Sequence, residues 1–175
     1  ERVYTTDFLP GVRPIPAMRA ALLAQHGHLD DALAWADARG LRAQDELTYV
    51  GELEHVVLAR VLVTRGRVAR DPSAVDEAIG LLTRLADAAT AGGRAGDLLP
   101  VLVLLALAED ARGSRAAALA HLDRALRAAE PEGYVRVFLD EGPRLHSLLE
   151  AAVASRGPTA FVHGLLGAGL VAVHA

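Results

Sequence analysis

The sequence predicts an all-α protein built from stacked antiparallel helix hairpins. Three observations carry that prediction. Of 175 residues, 35 are alanine and 29 are leucine, both strong helix formers. Apolar residues recur at helical spacing and almost nowhere alternate. Glycines stand where the periodic segments stop, and the connections between segments are short enough to make neighbours antiparallel.

Taken in order, these signals place about nine helices. The first is expected over 15–26, closing at Gly27, and the second over 29–39, closing at Gly40. A third runs over 47–65 to Gly66. The fourth, over 73–91, has the apolar series Val75, Ala78, Ile79, Leu82, Leu85, Ala86 and Ala89, with Asp76, Glu77, Arg84 and Asp87 opposite. Asp71 before Pro72 marks its start, and Ser73 with Asp76 has capping-box spacing. Gly92-Gly93 ends it; a fifth helix follows over 96–112, stopped by Gly113. Ser114 is placed to cap the sixth, over 115–129, whose outer side carries Asp123 and Arg127 four apart in the favourable order. Helices over 132–139, 143–155 and 158–168 complete the chain, separated by Gly142 and Gly157. Segments 53–63 and 98–108 are apolar nearly all round, so the third and fifth helices should be covered on several sides. The second and sixth have clean polar faces and should lie outside.

Aligning the glycines exposes an internal repeat. Gly27 and Gly113 are each followed five places later by an alanine, Ala32 and Ala118, and each falls between two helices. Gly66 reads as a third copy, with its Ala78-Ile79 pair delayed by an insertion over 67–73. The small alanine lets the two helices of a hairpin approach closely while the glycine closes the turn. One hairpin cannot bury its own apolar face, so successive hairpins stack into a superhelix. With Leu122, Ala125 and Pro131, the Gly113 copy nearly completes a tetratricopeptide (TPR) pattern. The fold class is therefore an all-α, TPR-like superhelix of helix hairpins.

Composition removes several functions. There is no cysteine, which excludes disulfides, thiolate nucleophiles and sulfur-ligated zinc. All 18 basic residues are arginine, so no lysine can serve a P-loop, a Schiff base or a proton transfer. A net charge of −4 without a basic cluster argues against direct nucleic-acid contact. The apolar run over 98–108 is too short to span a bilayer and contains Pro100. The uncharged stretch after Arg156 is broken by Gly164, Gly167 and Gly169 and carries His163 and His174, a poor lipid-facing surface. A cytoplasmic protein with no membrane contact is expected. The chain opens on Glu1 without an apolar leader and reads as a piece of a longer protein. It forms one helical-repeat domain over 1–175, with a leading segment over 1–13 and a terminal helix or linker over 156–175.

No catalytic constellation emerges: there is no Gly-x-Ser-x-Gly elbow, HExxH or dinucleotide fingerprint. His26 and His28 around Gly27, with Asp30 and Asp31, read as a solvated turn before a helix rather than a metal site. Trp35 reads as packing. The polar residues on the otherwise apolar third helix are the best site candidates, namely Tyr49, Glu54, His55 and Arg60. Charges on a groove-lining helix can hold a ligand or peptide. Equally, a buried charge requires a partner, so Glu54 and Arg60 are also expected in an internal ion pair, with each other or with a neighbouring helix.

Several blocks also occur in a known family, in the same order. They are Trp35-Ala-Asp-Ala-Arg-Gly-Leu41, Asp45-Glu-Leu-Thr-Tyr49, Glu52-Leu-Glu-His55, Leu58-Ala-Arg-Val-Leu62, Ala78-Ile-Gly-Leu-Leu82 and Ala91-Gly-Gly-Arg94. The most specific is Ala129-Glu-Pro-Glu-Gly-Tyr134-Val-Arg-Val-Phe-Leu-Asp-Glu-Gly142. Over residues 20–150 the chain resembles the TPR-like arm of the MalT-type, large ATP-binding LuxR-family transcriptional regulators. That resemblance implies a non-catalytic sensor and coupling arm binding a small-molecule effector or a regulatory protein. It also implies a nucleotide-binding domain upstream, a helix-turn-helix domain downstream, and self-association. This stretch has neither a Walker A motif nor a recognisable helix-turn-helix after Gly142, so no cofactor is expected here and ATP belongs to the separate upstream domain. A TPR scaffold that binds proteins without any effector is the alternative.

Overall fold

A computed structural model describes residues 14–157 and 159–172. The described residues form helices and connections with no strand. The helices are α1 (Ile15–Gln25), α2 (Leu29–Ala38), α3 (Glu52–Val68), α4 (Pro72–Ala91), α5 (Ala95–Ala111), α6 (Arg115–Ala129), α7 (Arg136–Leu139), α8 (Pro143–Arg156) and α9 (Ala160–Ala172). One 3-10 turn, Tyr49–Gly51, leads into α3. The leading segment 1–13 lies outside the described residues.

Within each hairpin the repeat alanine sits at the contact. Ala32, Ala78 and Ala118 are each 0% exposed, and α1 meets its neighbours through Ala17, Ala20 and Ala24. Side chains this small allow close approach of the backbones, with the leucines of α4 and α5 filling the space between layers. Of the eleven residues from Leu99 to Glu109 in α5, all but Pro100 are buried. That helix is enclosed by α3, α4, α6 and α7, which is why its sequence has no polar side. Pro100 does not break it; the helix runs through.

The hairpin turns share one geometry. In each, the sixth residue donates its N–H to the carbonyl of the first: His28 to Leu23, Leu41 to Ala36, Asp71 to Gly66, Arg94 to Ala89, Ser114 to Glu109 and Tyr134 to Ala129. This closure needs a left-handed residue at the fifth position. Five of the six use glycine there; the turn after α3 uses Arg70, at φ 53°.

That exception corrects the repeat alignment. Gly66 is not the end of the third helix but lies inside it, two residues before Val68. The helix therefore both starts and ends later than the expected 47–65, and the 67–73 insertion divides into its last residues, the Arg70 closure and the start of α4. Gly66 serves a different need. A Cβ there would stand 2.3 Å from Val75 Cγ2 and 3.1 Å from the Asp71 carbonyl, so α3 and α4 cross at a point only glycine allows. Val75 is β-branched and stiff, and cannot swing aside cheaply. Gly66→Ala should cost about 1–2 kcal/mol, overpacking outweighing the gain in helix propensity. Arg70→Gly should stabilise by about 0.5–1 kcal/mol by relieving left-handed strain. Urea midpoints of the two variants, moving in opposite directions, check both.

Other starts differ in detail. Asp71, not Ser73, caps α4: its side chain accepts from the Ala74 N–H at 3.2 Å. Ser114 occupies the cap position of α6 without a side-chain cap bond. The helix expected over 132–139 shrinks to the single turn α7, because Gly133 closes α6 in the left-handed region and leaves 134–135 outside the helix. The last helix is Ala160–Ala172 rather than 158–168.

On α6, His121 is partly buried and its Nδ1 lacks a hydrogen-bond partner among the described residues. Burial lowers its pKa; Glu109 opposes this and Arg124 adds to it. The folded imidazole thus binds protons less readily than the unfolded one, and folding stability falls as pH drops below the ordinary imidazole value of about 6.5. A urea titration of wild type and His121→Gln should show the stability difference moving against wild type as pH falls from about 7.5 to 5.

Candidate binding face

The helices fall into two rows. Among the first helices of the hairpins, α1 packs on α3 and α3 on α5, whereas α2, α4 and α6 make little or no contact with one another. A stack closer-packed along one row curves towards it, so α1, α3 and α5 form the inner face. The α3 helix, in the middle, carries the polar candidates.

Tyr49 stands in the 3-10 turn at the start of α3 and is 62% exposed. Its ring lies under the Arg94 guanidinium, 5.4 Å from carbon to centroid. Arg94 in turn donates to Glu52 at 2.5 Å and pairs with Asp97 at 3.2 Å. Carboxylates in the first turns of α3 and α5 thus hold a cation over an exposed aromatic, joining two inner helices along one edge of the face.

Glu54 turns towards α2. It pairs with Arg39 at 2.8 Å, an anion in the first turn of one helix meeting a cation at the end of the other. His55 is buried, and its Nδ1 is 2.9 Å from the Gly51 carbonyl, which can only accept, so the proton is on Nδ1. Its Nε2 faces Asp45 Oδ2 at 3.7 Å without a hydrogen bond. The Asp45 loop is itself tied down, with Arg84 of α4 donating to the carbonyls of Ala43 (2.8 Å) and Asp45.

Arg60 forms a two-pronged bond with Glu141, Nη1 and Nη2 lying 2.7 and 2.5 Å from the two carboxylate oxygens. The side chains are 17% and 8% exposed. The four candidates therefore do not converge on one pocket. Tyr49 lies at the open edge, while Glu54, His55 and Arg60 each reach a different element. Glu54 and Arg60 do not pair with each other; six positions apart on a helix, they point about 120° apart.

Two hollows lie elsewhere. A cleft of about 370 Å³ between α1 and α2 has Ile15, Pro16, Ala20, Leu23 and Trp35 in its walls, with Arg19 and Asp31. A second, of about 220 Å³, lies beside it at Leu22, His26 and His28. Trp35 packs on both parts of the core, yet its Nε1 has no hydrogen-bond partner among the described residues. Among those residues no group of three or more His, Asp or Glu is placed to hold a metal ion. None of the helices among them is long and apolar enough to cross a membrane.

Reading along the chain missed the partners more than the candidates. Arg39, Arg94 and Glu141 each complete a polar contact of α3, but Glu141 is 81 residues from Arg60 and no periodic signal links them. The block around Glu141 was visible only as part of the family pattern.

Rows of helix hairpins with polar side chains along the inner face define a TPR-like interaction module. The profile of the MalT-like TPR region matches residues 1–155, and the chain belongs to that family. No curated protein and no solved structure gives a significant match.

Proposed function

We propose that this domain is the non-catalytic sensor and coupling arm of a MalT-like LuxR-family transcriptional regulator, binding an effector or a regulatory protein on its inner face. The observation that carries the reading is the division of labour among the four polar residues. Tyr49, with Arg94 above it, is open to a partner. Glu54 and Arg60 are committed to α2 and Glu141, and His55, hydrogen-bonded to the Gly51 carbonyl, is buried beside the Asp45 loop. They serve as couplers: a partner that shifts α3 strains all three contacts at once, and small rotations sum along a stack. ATP binding and DNA contact belong to flanking domains, self-association follows effector binding, and the protein works in the cytoplasm.

The test is thermal shift of the chain across a metabolite panel, in parallel with co-purification of bound proteins. Tyr49→Ala should abolish whichever binding is found and leave the melting temperature unchanged. Binding that survives Tyr49→Ala, or any catalytic turnover by the chain, would defeat the reading. A bound protein with no response to any metabolite would favour the plain scaffold.

A further inference from the structure

The inner face already has an occupant. Residues 134–141 leave α6 at Gly133 and enter α8 at Gly142, both glycines being in the left-handed region. Between them lies the single turn α7, and the main-chain hydrogen bonds of the segment stay within it or return to Ala129. Every contact it makes with the inner helices involves a side chain on one partner or the other. Phe138 inserts between α5 and α9, Glu141 grips Arg60 of α3, and the Asp140 carbonyl accepts from Gln25 of α1 at 3.4 Å. The strap thus touches all three inner helices, while residues 134–136 and 140 remain exposed on its outer side.

Phe138 and Glu141 are three positions apart, and the Glu141 N–H to Phe138 carbonyl bond, 3.2 Å, turns both to the same side. Anchors spaced at i and i+3 are one way a helical peptide segment docks in a groove; here the first is an aromatic and the second a carboxylate that can set register. Arg60 offers the matching fork, since both its terminal nitrogens engage one carboxylate. We infer that the 134–141 strap is an internal competitor for this face, and that the partner is a peptide segment with an aromatic residue and, three positions on, a carboxylate that replaces Glu141 at Arg60. The inference rests on the inner face being the binding surface. It adds the chemistry of the partner and the contact that must open first.

The probe is a fluorescein-labelled peptide with the sequence of residues 132–142, added to the whole chain. In wild type the tethered copy competes at an effective concentration in the millimolar range, so the free peptide should bind weakly. Glu141→Gln weakens the internal contact without changing its size, and should tighten peptide binding at least about tenfold. Adding Arg60→Gln should remove that gain, as should replacing the glutamate in the peptide corresponding to Glu141 by glutamine.

Amide hydrogen exchange on wild type needs no ligand and tests the strap by itself. Amides of 136–141 should exchange at least about tenfold faster than those in the middle of α5. Exchange of the strap only at the rate of α5 would overturn the inference whatever the variants do. Equal peptide affinity for wild type and Glu141→Gln would overturn the competition and leave the inner-face reading standing. A strap that opens, with no peptide bound by either chain, would overturn the inference alone; the inner-face reading falls only if the metabolite panel and co-purification also find nothing that Tyr49→Ala removes.

Discussion

Arg60→Ala is expected to destabilise the fold by about 3–5 kcal/mol, because it strands the Glu141 carboxylate at 8% exposure without a counter-charge. The expense lies in the partner left behind rather than in the value of the pair. Glu141 is the more deeply buried of the two, and the strap's own Arg136 is paired with Asp140 instead. Arg60 has a long aliphatic stem and can reach water if orphaned, so Glu141→Gln should be milder than Arg60→Ala. Removing both charges isolates the coupling. The double variant Arg60→Ala with Glu141→Ala should lose clearly less than the sum of the singles, and Arg60→Met with Glu141→Leu should approach wild type. Urea titrations of the four chains measure the cycle. If the Arg60→Ala loss is under about 1 kcal/mol, the pair behaves as a surface contact and the description of the buried clamp is wrong.

Phe138→Ala should be comparably costly, again about 3–5 kcal/mol. The ring is 2% exposed and meets Phe161 edge-on, with centroids 6.1 Å apart and planes at 81°. It is the largest of the most deeply buried side chains, and its loss leaves a cavity that α5, α7 and α9 cannot close without moving together. At this chain length the loss corresponds to a fall in melting temperature of about 6–20 °C. Tyr134→Ala, a change of similar size four residues earlier on the exposed side of the strap, should stay within about 0.5 kcal/mol of wild type. The contrast separates anchoring by one aromatic from a general sensitivity of the segment.

The helix hairpins were readable because the signals for them are local. Helical periodicity marks which side of α4 or α6 faces inward, and glycine at a left-handed turn says where a hairpin folds, from the few residues around it. Ala32 and Ala118 were legible as close contacts for the same reason: a small residue placed one turn into a helix matters only if something packs against it. Gly66 shows where this fails. A glycine that ends a helix and one that lets a second helix cross look identical in sequence; the difference is Val75, brought alongside by the fold. Arg70 is the converse, a left-handed turn without the residue that usually announces it.

The site divides along the same line. Sequence by itself determined that Glu54, His55 and Arg60 sit on a largely apolar helix and therefore need partners, because desolvating an unpaired charge is too costly to tolerate. Which partners they have was decided only in three dimensions. Arg39 and Asp45 come from the loop and helix just before, but Glu141 arrives from 81 residues away, carried by a strap whose path depends on how three hairpins stack. Periodicity reports the direction a side chain points relative to its own helix. What stands in that direction is set by packing between elements, and no short-range pattern encodes it.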